Sequence, residues 1–353
     1  MAHQVNDVRQ LFEDMVALTN VDVDIDQGRI YNVGQHTIFY FNHWPLWTAL
    51  EDPLRLKNLI ISLLIDLKKY SLVIADFSKE RMDHFALYEM LVESGVNFIQ
   101  LTYNPTANRP SMIYYPHHCY VLKNMWAPTY NIYAEQVPKK YKISCLNGHT
   151  RWHRIYNYIL LKERFDLTDF LITMYSDQPD DDAEWDISVK SELTTFNITQ
   201  KWDSIKHQFP LRNSIKTGHG NQWHHPAHAD SYIHLVTESD MGNCYMTEKT
   251  WQPIAAAQLF LVAGYQHIVA HLGDLGVDTF DDLIDHKYYD SEPNWQIRLQ
   301  KIHQVIEDLL GQNIVEIYNN TKQRRINNAE KFFNEEFGTQ YRDKITSCIT
   351  MLK

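Results

Sequence analysis

The sequence predicts an α/β fold of two domains, because apolar stretches of strand length alternate with amphipathic helical stretches in two separate series. A chain of 353 residues also exceeds the roughly 250–300 residues at which a single hydrophobic core stops growing. Between the two series, residues 104–140 are rich in proline and tyrosine, which is typical of a linker. We therefore predict one parallel-sheet domain over residues 1–138 and a second over residues 139–353.

The first series alternates strands and helices with short connections, as in a parallel sheet covered by helices. Strands are predicted from short apolar runs, and helices from longer segments with apolar residues at helical spacing. The predicted elements are a helix over residues 8–19, a strand over 37–41, a helix over 54–70, a strand over 71–77, a helix over 81–94 and a strand over 96–103.

The second series starts the alternation afresh after the linker. Residues 176–230 are interpreted as loops, and we expect the last two helices to pack back towards the first domain. The predicted elements are strands over residues 141–146, 169–175, 232–237 and 259–263, and helices over residues 151–164, 247–257, 268–272, 295–320 and 322–337.

The composition is that of a folded, acidic protein. Hydrophobic residues make up 44% of the chain and charged residues 22%, so each half can bury a core and disorder is not predicted. Lys and Arg number 33 against 44 Asp and Glu, which gives a net charge of −11. This charge provides no general attraction to polyphosphates, so binding to nucleic acid would require a local basic patch.

No targeting or membrane-spanning segment is recognisable in the sequence. Residues 1–7 lack the pattern of a signal peptide, and no apolar run approaches the roughly 18 residues that cross a bilayer. The four cysteines lie far apart without CxxC spacing, which favours reduced thiols over disulfides or a cysteine-based metal site. The sequence therefore predicts a cytoplasmic protein with no membrane partner.

A polar, basic turn follows the first strand of the second series. Asn147 comes directly after the strand, and Arg151 and Arg154 lie at the start of the next helix. Arginines in the first turn of a helix are unfavourable, because their charge opposes the helix dipole. Their presence here therefore needs a structural or functional explanation. One interpretation is a solvated basic turn. The other is a site for phosphate groups, whose charge must be neutralised by cations or helix N-termini.

A second candidate segment begins at Glu238, directly after a predicted strand. The run Tyr-Met-Thr-Glu-Lys at residues 245–249 opens the next helix, and three alanines at residues 255–257 lead to an apolar strand. Taken alone, Glu248 and Lys249 would form no more than a surface ion pair, worth under about 1 kcal/mol. Their context is more informative than the pair itself.

The order and spacing of these residues resemble the donor-binding stretch of α-1,3-fucosyltransferases and related viral and bacterial glycosyltransferases. In that family a glutamate closes a strand, a Tyr/Thr-Glu-Lys motif opens a helix, and a run of small residues leads to an apolar strand. The turn at residues 146–154 and the pair Asn327-Asn328 also resemble phage-type relatives, more weakly.

The resemblance implies a set of residues that bind a nucleotide sugar. In it, Lys249 meets the diphosphate, Glu248 contacts ribose or sugar hydroxyls, and Glu238 supports the cleft. The donor-binding residues so implied are Asn147, Arg151, Arg154, Glu238, Tyr245, Thr247, Glu248 and Lys249.

The same resemblance implies a GT-B fold, in which two Rossmann-like domains face a cleft. It further implies an enzyme that moves a sugar from a UDP- or GDP-linked donor to a hydroxyl acceptor, with inversion and without a metal or other cofactor. The acceptor is left open between a glycan, a small molecule and a hydroxymethylated DNA base, the last for a phage enzyme in its host's cytoplasm. A non-catalytic sugar- or nucleotide-binding protein is the alternative of a different class.

Inverting transfer requires a base that removes the acceptor proton. In open α/β sheets the ligand contacts lie at the carboxyl ends of the strands, which is where Asp76 and Glu80 follow the apolar run of the first domain. Their Asp-x-Ser-x-Glu run resembles the equivalent turn of phage-type relatives. We expect Asp76 or Glu80 to be the base; the alternative is that Asp76 caps the following helix.

Neither the histidine-rich loop nor the acidic loop is predicted to hold a metal. His224 and His228 are four residues apart, but Pro226 between them interrupts a regular helical face. The three consecutive aspartates at residues 180–182 are interpreted as a solvated turn.

Overall fold

Two compact units make up the computed structural model of the protein. One comprises Met1–Val121 with Gly338–Lys353, and the other comprises Leu122–Phe337. The boundary predicted after residue 138 lies within the second unit. The residues that the structure describes are 19–25, 28–33, 36–42, 70–77, 85–105, 109–115, 119, 122–123, 134–135, 138–147, 151–174, 194–195, 199–205, 226–334, 337, 344 and 347.

The first unit contains a six-stranded sheet in the order β1-β2-β3-β4-β5-β6. The first three strands form an antiparallel meander, and β3 to β6 run parallel. The strands are β1 (Thr19–Ile25), β2 (Gly28–Val33), β3 (His36–Asn42), β4 (Leu72–Phe77), β5 (Phe98–Thr102) and β6 (Met112–Tyr114).

Strands β3, β4 and β5 confirm the prediction, whereas β1, β2 and β6 are additional. The segment of β1 alternates valine or isoleucine with aspartate at residues 21–25, which is the period-two signal of a strand. Strand β6 lies inside the region interpreted as a linker, and its three residues pair in parallel with β5. The predicted helix over residues 54–70 lies outside the described residues except for Tyr70, as does the predicted helix over residues 8–19 except for Thr19, which begins β1.

One helix of the first unit is described, α1 (Phe85–Ser94), and it matches the later part of the helix predicted over residues 81–94. Leu91 on it is fully buried, whereas the next residue, Val92, is about half exposed, as expected for a helix with one buried face. The helix ends at Gly95, whose φ of +71° suits glycine and whose N–H donates to the Val92 carbonyl at 3.0 Å.

The second unit contains a four-stranded parallel sheet in the order β10-β9-β7-β8. Strand β8 lies on one side of β7, and β9 and β10 lie on the other, so the connections change direction between β7 and β9. This change is a topological switch point, and ligands of open α/β sheets bind there, at the carboxyl ends of the strands. The strands are β7 (Tyr141–Asn147), β8 (Phe170–Met174), β9 (Ser231–Thr237) and β10 (Leu259–Ala263).

Helices connect the strands of this second sheet. Helix α2 (Trp152–Arg164) joins β7 to β8, and α5 (Glu248–Ala255) joins β9 to β10, as predicted. Two short helices, α3 (Thr199–Ile205) and α4 (Pro226–Asp230), lie in the region interpreted as loops, so that interpretation was wrong for these residues.

The chain continues beyond β10 in further helices, which are α6 (Ile268–Asp274), α7 (Lys287–Asp290), α8 (Trp295–Leu310), α9 (Ile314–Asn320) and α10 (Lys322–Phe333). The single helix predicted over residues 295–320 is divided after Leu310. The division has a local cause, because the Asn313 side chain caps α9 by accepting from the Glu316 N–H at 3.3 Å.

The last three helices pack within the second unit. Helix α8 packs on α2 and β10, α9 on β9, and α10 on α5. Trp251 on α5 is fully buried, and its ring centroid lies 6.4 Å from that of Phe332 on α10. The C-terminal residues that group with the first unit are Gly338–Lys353, and the expectation that the last two helices pack back towards the first domain stays a prediction.

Candidate functional site

The structure brings the predicted donor-binding residues together at the carboxyl ends of β7 and β9. These two strands are hydrogen-bonded neighbours, so Asn147 at the end of β7 lies beside Thr237 at the end of β9. The Thr237 hydroxyl donates to Asn147 Oδ1. This is the switch point of the sheet, the place where the fold itself predicts a ligand.

Asn147 ties three strands together at this edge of the sheet. Its side chain is buried and its backbone N–H donates to the Thr173 hydroxyl of β8 at 3.1 Å. Its side-chain Nδ2 also approaches the Cys145 sulfur at 3.4 Å. With Thr237 on the other side, both ends of the Asn147 amide have partners within the protein, so the residue joins the ends of β7, β8 and β9.

The start of α2 is anchored to the backbone that follows β9. Arg151, which precedes the helix, donates from Nη1 to the Ser239 carbonyl at 2.8 Å. Arg154 donates from Nη2 to the Thr237 and Glu238 carbonyls at 3.1 and 3.4 Å. The His153 Nε2–H also donates to the Glu238 carbonyl at 2.8 Å. The sequence predicts no role for His153.

Arg154 places a buried positive charge at the centre of this edge. Burial is the main cause that lowers the pKa of its guanidinium to about 10, and the nearby Arg151 lowers it further. The carboxylates of Glu238 and Glu248 act in the opposite direction. Because a pKa of about 10 lies well above neutral pH, Arg154 remains a cation, and its field favours a negative group nearby.

Glu238 is fully buried directly after β9, and its carboxylate accepts four hydrogen bonds from the protein. The donors are the Ser239 N–H, the Thr247 N–H and hydroxyl, and the Thr250 hydroxyl. Its own N–H donates to the Ala263 carbonyl of β10 at 2.9 Å. The carboxylate therefore holds the start of α5 against the ends of β9 and β10.

Thr247 directly precedes α5 and links Glu238 to the helix. Its hydroxyl donates to Glu238 Oε2 at 2.6 Å and accepts from the Lys249 N–H at 3.4 Å, so it serves as the N-cap. Tyr245 just before it is buried, and its N–H donates to the Asn243 carbonyl at 2.8 Å. Thr247 therefore orients the first turn of α5, where backbone N–H groups and the helix dipole favour an anion.

Glu248 and Lys249 form an ion pair at this helix start, with 2.6 Å between Oε1 and Nζ. Their side chains are 18% and 22% exposed, so the pair is shielded much more than an ordinary surface pair yet remains in contact with solvent. An ammonium has three donors, which allows Lys249 to contact a further acceptor while it keeps Glu248.

The predicted base lies in the other unit. Asp76 occupies β4 one residue before its end, in register with Asn42 of β3 and Leu101 of β5. Glu80 lies outside the described residues. The choice between these two carboxylates therefore stays a prediction.

His228 of the histidine-rich loop is fully buried in α4, with its ring centroid 4.7 Å from that of His234 on β9. His224 and the aspartates at residues 180–182 lie outside the described residues. Within the described part of the chain, no group of three or more His, Cys, Asp or Glu side chains is arranged to hold a metal ion.

No family model matches the chain, and no curated protein or solved structure matches it. The geometry at the ends of β7 and β9 is therefore the basis for assigning a function. In the part of the chain that the structure describes, no helix is both long and apolar enough to span a bilayer.

Proposed function

We propose that the protein is a nucleotide-sugar-dependent glycosyltransferase whose donor diphosphate binds at the carboxyl ends of β7 and β9. This proposal rests on one observation, the spatial proximity of residues that are far apart in the sequence. Residues from separate segments, proposed from a sequence motif alone, meet at the one edge of the sheet where the strand order changes direction. Such an edge is the usual ligand site of an open α/β sheet.

The chemistry of this edge suits a diphosphate. The first turn of α5 offers a helix N-terminus, and Lys249 there provides a solvent-accessible ammonium. Arg151 and the buried Arg154 add positive charge at the start of α2, where they contact the backbone that follows β9. Cations and a helix dipole aimed at one place neutralise the charge that two phosphates carry into a protein cleft.

The transfer reaction follows from this placement of charge. The oxygen of an acceptor hydroxyl attacks the anomeric carbon of the donor sugar, and the bond from that carbon to the diphosphate oxygen breaks. Lys249 and Arg151 stabilise the nucleoside diphosphate as it leaves. The acceptor proton goes to a carboxylate, for which Asp76 and Glu80 are the candidates. Two Rossmann-like domains facing a cleft, as in GT-B enzymes, would bring donor and acceptor together.

A thermal-shift panel of UDP- and GDP-linked sugars tests donor binding. A ligand at about 100 times its Kd adds about 2.7 kcal/mol to the free energy of unfolding, so the true donor raises the Tm. Lys249→Ala should abolish this shift while the variant stays folded. Lys301→Ala is a matched control, because Lys301 also pairs with a carboxylate, Glu292, at 2.8 Å and with similar exposure.

The Lys301→Ala variant is expected to retain the full shift. A panel without any shift for the wild type would contradict the proposed function, and an equal loss of shift in both variants would contradict the role of Lys249.

A second test separates an enzyme from a binding protein. In the double variant Asp76→Asn/Glu80→Gln, donor binding should persist, because neither residue belongs to the second unit, while sugar transfer and donor hydrolysis fall by at least about 100-fold. Release of nucleoside diphosphate is the measurement. Survival of both activities would show that the base lies elsewhere. A wild type that binds the donor but neither hydrolyses nor transfers it would be a non-catalytic binding protein.

A further inference from the structure

A buried arginine on α8 holds the loop that joins β9 to α5, residues 238–247. Arg298 is 1% exposed, and it donates from Nη2 to the Met241 carbonyl in this loop at 2.8 Å. Its Nη1 donates to the Glu292 carbonyl, which precedes α8. One planar guanidinium thus bridges two backbone segments that are separated by about fifty residues of sequence.

The loop has internal hydrogen bonds that define its shape. Asp240 Oδ1 accepts from the N–H groups of Gly242 and Asn243 at 2.8 and 3.4 Å, and the Asn243 side chain donates to Asp240 Oδ2 at 2.6 Å. These bonds form a compact turn, but they join the loop only to itself. Arg298 attaches this turn to α8, in addition to the bond from Arg151 to the Ser239 carbonyl at the start of the loop.

The same helix α8 is fastened to α2, the helix that follows Arg151. The Trp295 ring packs edge-on against that of Trp152, with 4.3 Å between centroids. Further along, Gln300 Nε2 donates to the Tyr156 hydroxyl at 2.9 Å. Helix α8 therefore contacts both segments that contribute residues to the candidate donor site.

Burying a guanidinium is costly, and burial is the main cause that lowers the pKa of Arg298. Asp290 and Glu292 favour its charged form. Its hydrogen bonds to Met241 and Glu292 are made to backbone carbonyls, so the charge is used to hold main chain in place. A methionine of similar length would fill the space without holding either segment.

We propose that Arg298 is a positioning residue for donor binding. It holds the β9–α5 loop so that the first turn of α5, with Lys249, is presented in one geometry to the diphosphate. This inference rests on the proposed function. Since small displacements of a positioned group weaken its contacts steeply, loss of Arg298 should raise the donor dissociation constant by about 10- to 100-fold.

The variants Arg298→Met and Arg298→Lys test the proposal. The methionine variant should raise the KM for the donor by that factor and should lower kcat as well, because Lys249 also stabilises the diphosphate as it leaves. The ammonium of lysine lacks the planar arrangement of donors by which the guanidinium reaches two carbonyls. Arg298→Lys should therefore restore only part of the lost donor affinity. An unchanged KM in Arg298→Met would overturn the proposal.

Two cysteines of the second unit provide a readout that does not depend on the donor. Cys244 lies in the loop and is half-buried, whereas Cys145 on β7 is fully buried. In a Cys348→Ser background, Arg298→Met should speed alkylation of Cys244 several-fold and leave Cys145 protected. A Cys244→Ser variant confirms which thiol reacts.

The outcomes are distinguishable. Exposure of both thiols would mean that Arg298 supports the whole domain, and unchanged labelling would mean that it does not hold the loop; either result overturns the proposal. If the wild type binds no nucleotide sugar, the proposed function fails and the donor role of Arg298 fails with it, while faster labelling of Cys244 alone would still assign the loop contact to Arg298.

Discussion

Replacing Glu238 by alanine is expected to lower the free energy of unfolding by about 3–5 kcal/mol. The reason is that the donors of Ser239, Thr247 and Thr250 lose their common acceptor. Those of Thr247 and Thr250 are buried, and each buried donor left unsatisfied costs about 1–3 kcal/mol. The start of α5 should loosen as well, so nucleotide binding should be lost together with stability. Urea unfolding of wild type and variant measures the difference.

Two further variants control this experiment. Glu238→Gln keeps one carbonyl oxygen but turns the other acceptor into an amide that faces the Ser239 N–H, so we expect a smaller loss of about 1–2 kcal/mol. Glu307→Ala removes an exposed carboxylate from α8 and should change the free energy of unfolding by less than about 0.5 kcal/mol. If Glu238→Ala cost no more than Glu307→Ala, the carboxylate would not organise the helix start.

Acid should destabilise the second unit between pH 7 and pH 5. Burial lowers the pKa of His286 to about 4 and that of His303 to about 3. In the unfolded chain both titrate near 6.5, so protons bind the unfolded state first as the pH falls. Each histidine therefore contributes stability that is complete above about pH 6.5 and is lost towards its folded pKa, about 2 kcal/mol each by pH 5.

Both buried rings have hydrogen-bond partners that suit their neutral form. The His286 Nε2–H donates to the Thr279 carbonyl at 2.8 Å, while its Nδ1 accepts from the Tyr289 hydroxyl at 2.6 Å. The His303 Nε2–H donates to Asn157 Oδ1 at 2.8 Å. His303→Gln removes one titration, so the loss of stability between pH 7 and pH 5 should be about halved. An identical loss in wild type and variant would show that other groups cause it.

The sequence predicts the strands and helices of the second unit well, because its strands are continuous apolar runs and its helix starts carry recognisable caps. Thr247 is such a cap, and it locates α5 to within one residue. In the first unit the alternating valines and aspartates of β1 carry a strand signal, although the apolar runs used for prediction do not include this segment. Strand β6 has only three residues, and it is defined by its pairing with β5 rather than by local preference.

The residues of the candidate site were predictable, but their individual contacts were not. A motif places Glu238 near Thr247, yet only tertiary structure shows that one carboxylate serves four donors. Arg298 lies 57 residues from Met241, and a buried arginine that contacts backbone carbonyls leaves no pattern in a single sequence. In the sequence, His153 is only a polar residue at a helix start. Its contact with the Glu238 carbonyl is visible only in the tertiary structure.

The central claim is that the donor diphosphate binds where β7 and β9 end, and a crystal structure with the nucleotide that gives the largest thermal shift tests it most directly. We predict a phosphate oxygen within hydrogen-bonding distance, about 2.7–3.2 Å, of Lys249 Nζ, with the other phosphate facing the first turn of α5 or Arg151. A nucleotide bound away from the carboxyl ends of these two strands would contradict the claim.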